Sequence, residues 1–434
     1  MAQPPASPTA HHDQVTLLQV LSLRDFRLFL GGRLFGTLAT QIQSVAVGWQ
    51  IYEATKSPMA LGFVGLAQFL PMFLLLLPAG DIADRVDRRL IAAASYFFQG
   101  VSVGLLGLLT WSGMAEHTVW PFYLALVIFG AARAFSGPAL RAYVPLLVSK
   151  PQLPRAISIS SALFQFGIIV GPALGGFIYI LGPLAAYGTC FVLFLIVAVS
   201  FITIRTRHVP VPVEAGISSF TRVTAGISYI RRKPIIMGAV SLDLFAVLLG
   251  GAVALLPIYA SDILHVGPEG LGLLRSGPAI GALVINFLII ARPPQRHAGL
   301  LMFACVAIFG IATIAFGLSE NFMLSMGALL VMGGADMVSV WVRSTLIPLA
   351  TPADKLGRVS AVDLLFISAS NELGEFESGV MAGLLGTVPS VVFGGLGTLG
   401  VVGLWMWLFP DLRKVDRLMD VRPDDEDDPP PKPA

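Results

Sequence analysis

The sequence predicts an all-α integral membrane protein of about twelve spanning helices, arranged as two related bundles of six. Three observations predict it. The 434 residues are 55% hydrophobic and only 12% charged, with a mean hydropathy of +0.79, whereas soluble domains carry about a quarter charged residues. Apolar runs of about 20 residues, each enough to cross a bilayer, recur along the chain. The cations gather at every second connection between those runs.

The runs cover residues 28–52, 58–79, 91–111, 119–139, 157–179, 183–204, 235–258, 270–291, 298–318, 322–345, 360–386 and 390–409. An even number returns the chain to the side where it began. Ahead of the first run the sequence is polar, with His11 and His12, and predicts no cleavable signal peptide. Arg85, Arg88, Arg89, Lys150, Arg155, Arg205, Arg231, Arg232, Lys233, Arg292, Lys355 and Arg358 fall at alternate connections, and Arg413 and Lys414 follow the last run. The remaining connections hold Glu53, Glu116, Asp262, Glu269 and Glu320, with Lys56 the one cation. By the positive-inside rule, both termini are expected in the cytoplasm.

Five segments follow: a tail (1–22), a first bundle (23–204), a connection (205–234), a second bundle (235–412) and an acidic, Pro-rich tail (413–434). In the connection, Phe220, Val223, Ile227 and Ile230 repeat at helical spacing beside Arg222 and the Arg231-Arg232-Lys233 cluster. That pattern predicts a helix lying on the membrane surface with its basic chains on lipid phosphates; a solvated linker is the alternative. The halves repeat faintly. PLLVSKPQLPRAIS from Pro145 and PLATPADKLGRVS from Pro348 each carry an Arg ten residues on, Arg155 and Arg358, and follow Arg141 and Arg343, an offset of about 203 residues.

Net charge of +2 says nothing about nucleic acid, and none is expected as a partner. Cys190 and Cys305 sit in different apolar runs, so core residues are expected rather than a disulfide. The six His lack ligand spacing, and neither a metal nor a cofactor is expected; the expected partners are a small molecule, protons and lipid, with the chain expected to act as a monomer.

An ionisable group at the bilayer centre costs about 2.5–3.5 kcal/mol on insertion scales, so those present should face protein or water. Arg33 lies in the first run, Arg133 in the fourth, Asp243 in the seventh, Arg275 in the eighth, Asp336 and Arg343 in the tenth, and Glu372, Glu375 and Glu377 in the eleventh. Every third run contains none. Arg33, Gly36, Thr37, Thr40 and Ser44 share one helical face, as do Asp336 and Arg343. These runs therefore read as lining a polar interior, although such charges could instead pair and hold helices together. Glu372 and Glu375 share a face, while Glu377 turns away. Two neighbouring buried carboxylates resist ionising together, so proton exchange is expected; permanent pairing with Arg275, or reception of a cationic substrate, remains open. No nucleophile–base pair or metal cluster suggests an enzyme.

GDIADRVDRRL, with Gly80, Asp84, Arg85, Arg88 and Arg89, resembles the G-x-x-x-D-R-x-x-R-R loop of the major facilitator superfamily, with Asp87 where a Gly is usual. GIIVGPALGG, with Gly167, Gly171, Pro172, Gly175 and Gly176, resembles that superfamily's antiporter motif. DLFAVLLGGAVALLPIYASDIL, VGPEGLGLLRSGPAIGAL and NELGEFESG are similar to its enterobactin-exporter-like branch of proton-driven siderophore and drug exporters.

The resemblance implies a secondary transporter that exports a small organic molecule in exchange for protons. It also implies that Asp84 and its Arg neighbours latch the halves together and that the antiporter stretch is a close-packed pivot. Arg33, Thr37, Thr40, Arg133, Asp336 and Arg343 are then the expected substrate contacts. Asp243, Glu372 and Glu375 are the expected proton sites, with Arg275 their counter-charge. Efflux of cationic or neutral drugs, uptake by symport, and a non-transporting receptor on the same fold are the alternatives.

Overall fold

The computed structural model describes residues 17–206 and 219–422. The tail before residue 17, residues 207–218 and the segment after Arg422 lie outside the described residues, as do the side chains of Asp84, Arg141, Phe220, Arg222, Val223 and Asp354. The first six long helices are α1 (Arg24–Thr55), α2 (Pro58–Arg85), α3 (Arg88–Trp111), α4 (Trp120–Leu147), α5 (Leu153–Tyr179) and α6 (Pro183–Thr203). A linker helix, Ser219–Arg232, follows. Then come α7 (Pro234–Leu249), α8 (Gly267–Ala291), α9 (Ala298–Gly317), α10 (Phe322–Leu349), α11 (Ala353–Leu385) and α12 (Thr387–Leu408). Among the described residues there is no strand, and ten helices are long and apolar enough to cross a membrane. Helices α1 and α11, with 32 and 33 residues, are long enough but more polar, and both carry interior charges.

Local chemistry sets the ends. The α1–α2 turn places Lys56 in the left-handed region at φ 47°; the Ser57 hydroxyl then accepts from Ala60 N and Pro58 stands in the first turn, where its missing N–H costs nothing. Asp87 caps α3 by accepting from Arg89 N at 3.0 Å, and Asn321 caps α10 through Met323 N and Leu324 N. One helix departs from the expected single span. Helix α7 stops at Gly250-Gly251, passes through a 3₁₀ turn (Ala252–Leu255) and ends in a π turn (Tyr259–Ile263). Two glycines and the imino nitrogen of Pro257 disrupt the regular ladder there.

Packing repeats between the halves. Helix α1 packs on α5 and α6, and α7 packs on α11 and α12; α2 with α4 is matched by α8 with α10, and α3 with α6 by α9 with α12. The halves meet through α5 on α8 and α2 on α11, contacts that this same correspondence interchanges. The N-terminal bundle encloses an aromatic core of Phe29, Tyr96, Phe129, Phe194 and Phe201. A second cluster joins the halves: Val45, Trp49, Tyr52 and Leu61 pack with Leu255, Leu256, Tyr259, Leu271 and Leu274. These residues lie towards the helix ends opposite the basic connections, here called the far side. On the basic side the cores of the two halves are separate.

Candidate functional site

Within the spanning helices four charges from both halves come together. Arg133 of α4 pairs with Glu372 of α11, Nη1 to Oε1 3.3 Å, so an ion pair spans the two bundles. One turn along α11, Glu375 lies against α2, where a Cβ on Gly65 would stand 3.3 Å from its Oε2. Glu375 is within electrostatic reach of Glu372, Arg133 and Arg275. From α8, Arg275 directs Nη1 to the carbonyl of Ser44 on α1 at 3.5 Å. Glu377 faces elsewhere and accepts from the Ser378 hydroxyl at 3.5 Å. Arg133 is 38% and Glu372 17% exposed, so the protein encloses the pair only in part. The arrangement can bind a molecule between the halves or exchange a proton, because separating the bundles must break the Arg133–Glu372 pair.

A second cluster sits inside the C-terminal bundle nearer the basic side. Arg343 of α10 pairs with Asp243 of α7, and its Nε stands 3.5 Å from Asp363 of α11. Asp336 is within electrostatic reach of both Asp243 and Arg343. Arg343 and Asp243 are 2% and 5% exposed, so the structure puts this Arg in a helix-joining pair where the sequence suggested a substrate contact. Asp363 lies inside the eleventh run, near its start, and the sequence argument named only the three Glu there.

Arg33 stacks its guanidinium 4.8 Å from the Phe164 ring of α5. The hydroxyls of Thr37 and Thr40 donate to the carbonyls of Arg33 and Gly36 one turn back, at 2.8 and 2.9 Å. The antiporter stretch packs two ways. A Cβ on Gly167 would be 2.8 Å from the Thr37 side chain and one on Gly171 2.6 Å from that of Gln41, both on α1. Gly176 meets the carbonyl of Pro268 on α8, and Gly272 of α8 meets that of Pro172. Small residues on both helices permit this approach.

In the loop motif, Arg89 donates to the Ile204 carbonyl at 2.7 Å and pairs with Asp87 at 3.5 Å, both within the N-terminal half. Asp87, the departure from the family pattern, serves as the α3 cap. Gly80 faces open space, Arg85 is exposed and Arg88 half-buried, and the Asp84 side chain lies outside the described residues. On the far side, Tyr52 of α1 donates its hydroxyl to Asp262 beyond α7, and Lys56 Nζ lies 3.5 Å from Ser261 Oγ. Spacing gave no hint of this cross-half contact, since Tyr52 closes an apolar run and Asp262 reads as a connection residue.

Two pseudo-symmetric six-helix halves meeting around buried charges define a secondary transporter. The description "Major Facilitator Superfamily" matches residues 29–374, and the chain belongs to that family. It is 26% identical over 398 residues to the protein named "Enterobactin exporter EntS" of Citrobacter koseri, covering 90% of this chain and 92% of that one. Its namesake in Salmonella choleraesuis is 25% identical, over 88% and 91% of the two chains. Among solved structures, the nucleoside transporter NupG superposes with a TM-score of 0.71 at 13% identity, over 88% of this chain and 100% of the other. A bacterial homologue of ferroportin in an inward-facing state gives 0.68 at 15%, over 92% and 100%. The family makes the chain a multi-pass transporter and not an enzyme.

Proposed function

We propose that the protein exports a small organic molecule from the bacterial cytoplasm in exchange for protons, by alternating access between its two halves. The observation that carries this reading is the Arg133–Glu372 pair across the halves with Glu375 one turn away. Protonating Glu372 removes the attraction to Arg133, and the Glu375 carboxyl one turn away offers the proton a second acceptor. A proton taken up from one side then weakens the contact between bundles, and release to the other side restores it. The cationic surface of Arg133 and Arg275 suits an acidic or catechol-bearing cargo.

The basic connections face the cytoplasm on this reading, and the joined core on the far side makes the present state open inward. Asp84, Arg85, Arg88 and Arg89 then form the latch of the opposite, outward-open state, and the Gly167–Gly176 stretch is the pivot. The relatives named as enterobactin exporters make enterobactin the first probe. In proteoliposomes with an imposed pH gradient, the intact chain should accumulate enterobactin, and Glu372→Gln with Glu375→Gln should abolish gradient-driven accumulation while expression persists. Undiminished accumulation removes both acids as proton sites. Accumulation of a lipophilic cation instead of enterobactin favours drug efflux, with the Glu pair receiving the cation.

A further inference from the structure

Arg343 faces three carboxylates inside the C-terminal bundle. Asp243 of α7 pairs with it, Asp363 of α11 stands 3.5 Å from its Nε, and Asp336, two turns earlier on α10, is within electrostatic reach of Asp243 and Arg343. Charges on the neighbouring elements do not correct this imbalance. Arg275 of α8 is directed at Ser44, and α9 and α12 carry no charged residue. Arg231, Arg232, Asp411 and Asp420, on the segments packed at the basic end, are exposed. Asp336 makes no hydrogen bond or ion pair among the described residues.

A hydroxyl marks where the missing positive charge belongs. Ser339 lies between Asp336 and Arg343 on one face of α10, three residues from the first and four from the second. It is 1% exposed, and its Oγ has no hydrogen-bond partner. Ser and Thr hydroxyls within helices can bond the carbonyl one turn back, as Ser241, Ser276, Thr313 and Thr345 do here. Ser339 forgoes that bond and leaves a buried oxygen unpaired, which is unfavourable unless a ligand takes it. Asp363 Oδ1 also lacks a hydrogen bond, so Arg343 keeps an acceptor beside it when Asp243 turns to another ligand. Among the described residues no three carboxylate, thiol or imidazole side chains could hold a metal ion together, which sets aside a divalent ion that needs about six ligands or more. A monovalent cation with water in its remaining positions fits, and Na+ and hydronium both seek such oxygen acceptors. Asp336 is half-buried, so the protein encloses the cluster only in part.

We propose that Asp336, Asp243 and Ser339 form a binding site for a small monovalent cation, Na+ or hydronium, within the C-terminal bundle. Arg343 and Asp363 hold the site's far wall. Its readout is binding by the purified chain, so it stands or falls apart from the transport reading.

The test follows the thermal unfolding midpoint of the purified full chain as NaCl replaces choline chloride at constant ionic strength and alkaline pH. A second arm lowers the pH in choline chloride alone. A saturable rise with NaCl assigns Na+, and a rise with acid alone assigns hydronium. Ser339→Ala removes one oxygen and no charge. It should weaken the apparent Na+ affinity about ten-fold, or move the acid response about one pH unit lower. Asp336→Asn should remove the response, and Ser276→Ala, whose hydroxyl already has a partner, should keep it. The quantity read is the rise with cation, so a variant with a lower starting midpoint remains informative. No rise in either arm overturns the site, as does a rise that Ser339→Ala and Asp336→Asn both retain. Equal weakening by Ser276→Ala and Ser339→Ala also overturns it, because that marks general loosening of the bundle.

Discussion

Single residues divide the buried charges into two kinds. Arg343 is 3% exposed at its side chain and pairs with Asp243 beside Asp363, so removing one partner leaves the others buried and uncompensated. Arg343→Gln should therefore destabilise the fold by about 3–5 kcal/mol, read as a clear fall in thermal unfolding midpoint. Arg133 is 38% exposed, and an exposed ion pair contributes about 0–1 kcal/mol. Arg133→Gln should leave the midpoint nearly unchanged while impairing transport. Equal destabilisation by the two replacements would remove the distinction between structural and working charges. The sequence located both Arg residues in the membrane because their cost there is visible in composition. It could not rank them, since spacing along one helix says nothing of what a neighbouring helix brings opposite. Asp363 makes the same point from the other direction: its chemistry is plain, but its partner lies on α10.

At the level of helices, patterns that depend on backbone contact were the most legible. The small-residue spacing of α5 announces close packing, and its glycines meet α1 on one side and α8 on the other. Gly176 abuts the Pro268 carbonyl across the two halves, so Gly176→Val should force α5 from α8 on the far side. Thermal stability should fall, and solvent access from that side should rise. If Gly176→Val kept native stability and transport, the contact would not be a pivot. The interruption of α7 was less legible. Gly250-Gly251 sits within an apolar run that reads as one span, and the break becomes intelligible only beside Gly374 of α11, whose carbonyl crowds Gly251. Glycine in an apolar run signals permission to break a helix, not the decision to do so.

For the whole molecule, the balance between two arrangements depends on which ends of the bundles adhere. The far side is joined by the core around Val45, Trp49, Leu256 and Tyr259 and by the Tyr52–Asp262 hydrogen bond, while the basic-side cores remain apart. The helix-to-helix contacts were foreshadowed by the internal repeat, because two similar halves related by a pseudo-twofold must present matching faces. Which end would be closed was not, since Tyr52 and Asp262 are 210 residues apart and their pairing belongs to one arrangement only. A hydrogen bond to a charged group contributes about 1.5–3 kcal/mol, so its loss shifts a two-state population ratio about ten-fold or more. Tyr52→Phe keeps the ring in its packing and removes only the donor. With Val45→Cys as reporter, fully buried in the joined core, a membrane-impermeant maleimide applied from the far side should label Tyr52→Phe about ten-fold faster than the chain with Tyr52 intact. The native Cys190 and Cys305 are 0% and 7% exposed and contribute little background. An unchanged labelling rate would mean that apolar packing alone holds the far side shut and that the Tyr52–Asp262 pair is incidental to the cycle.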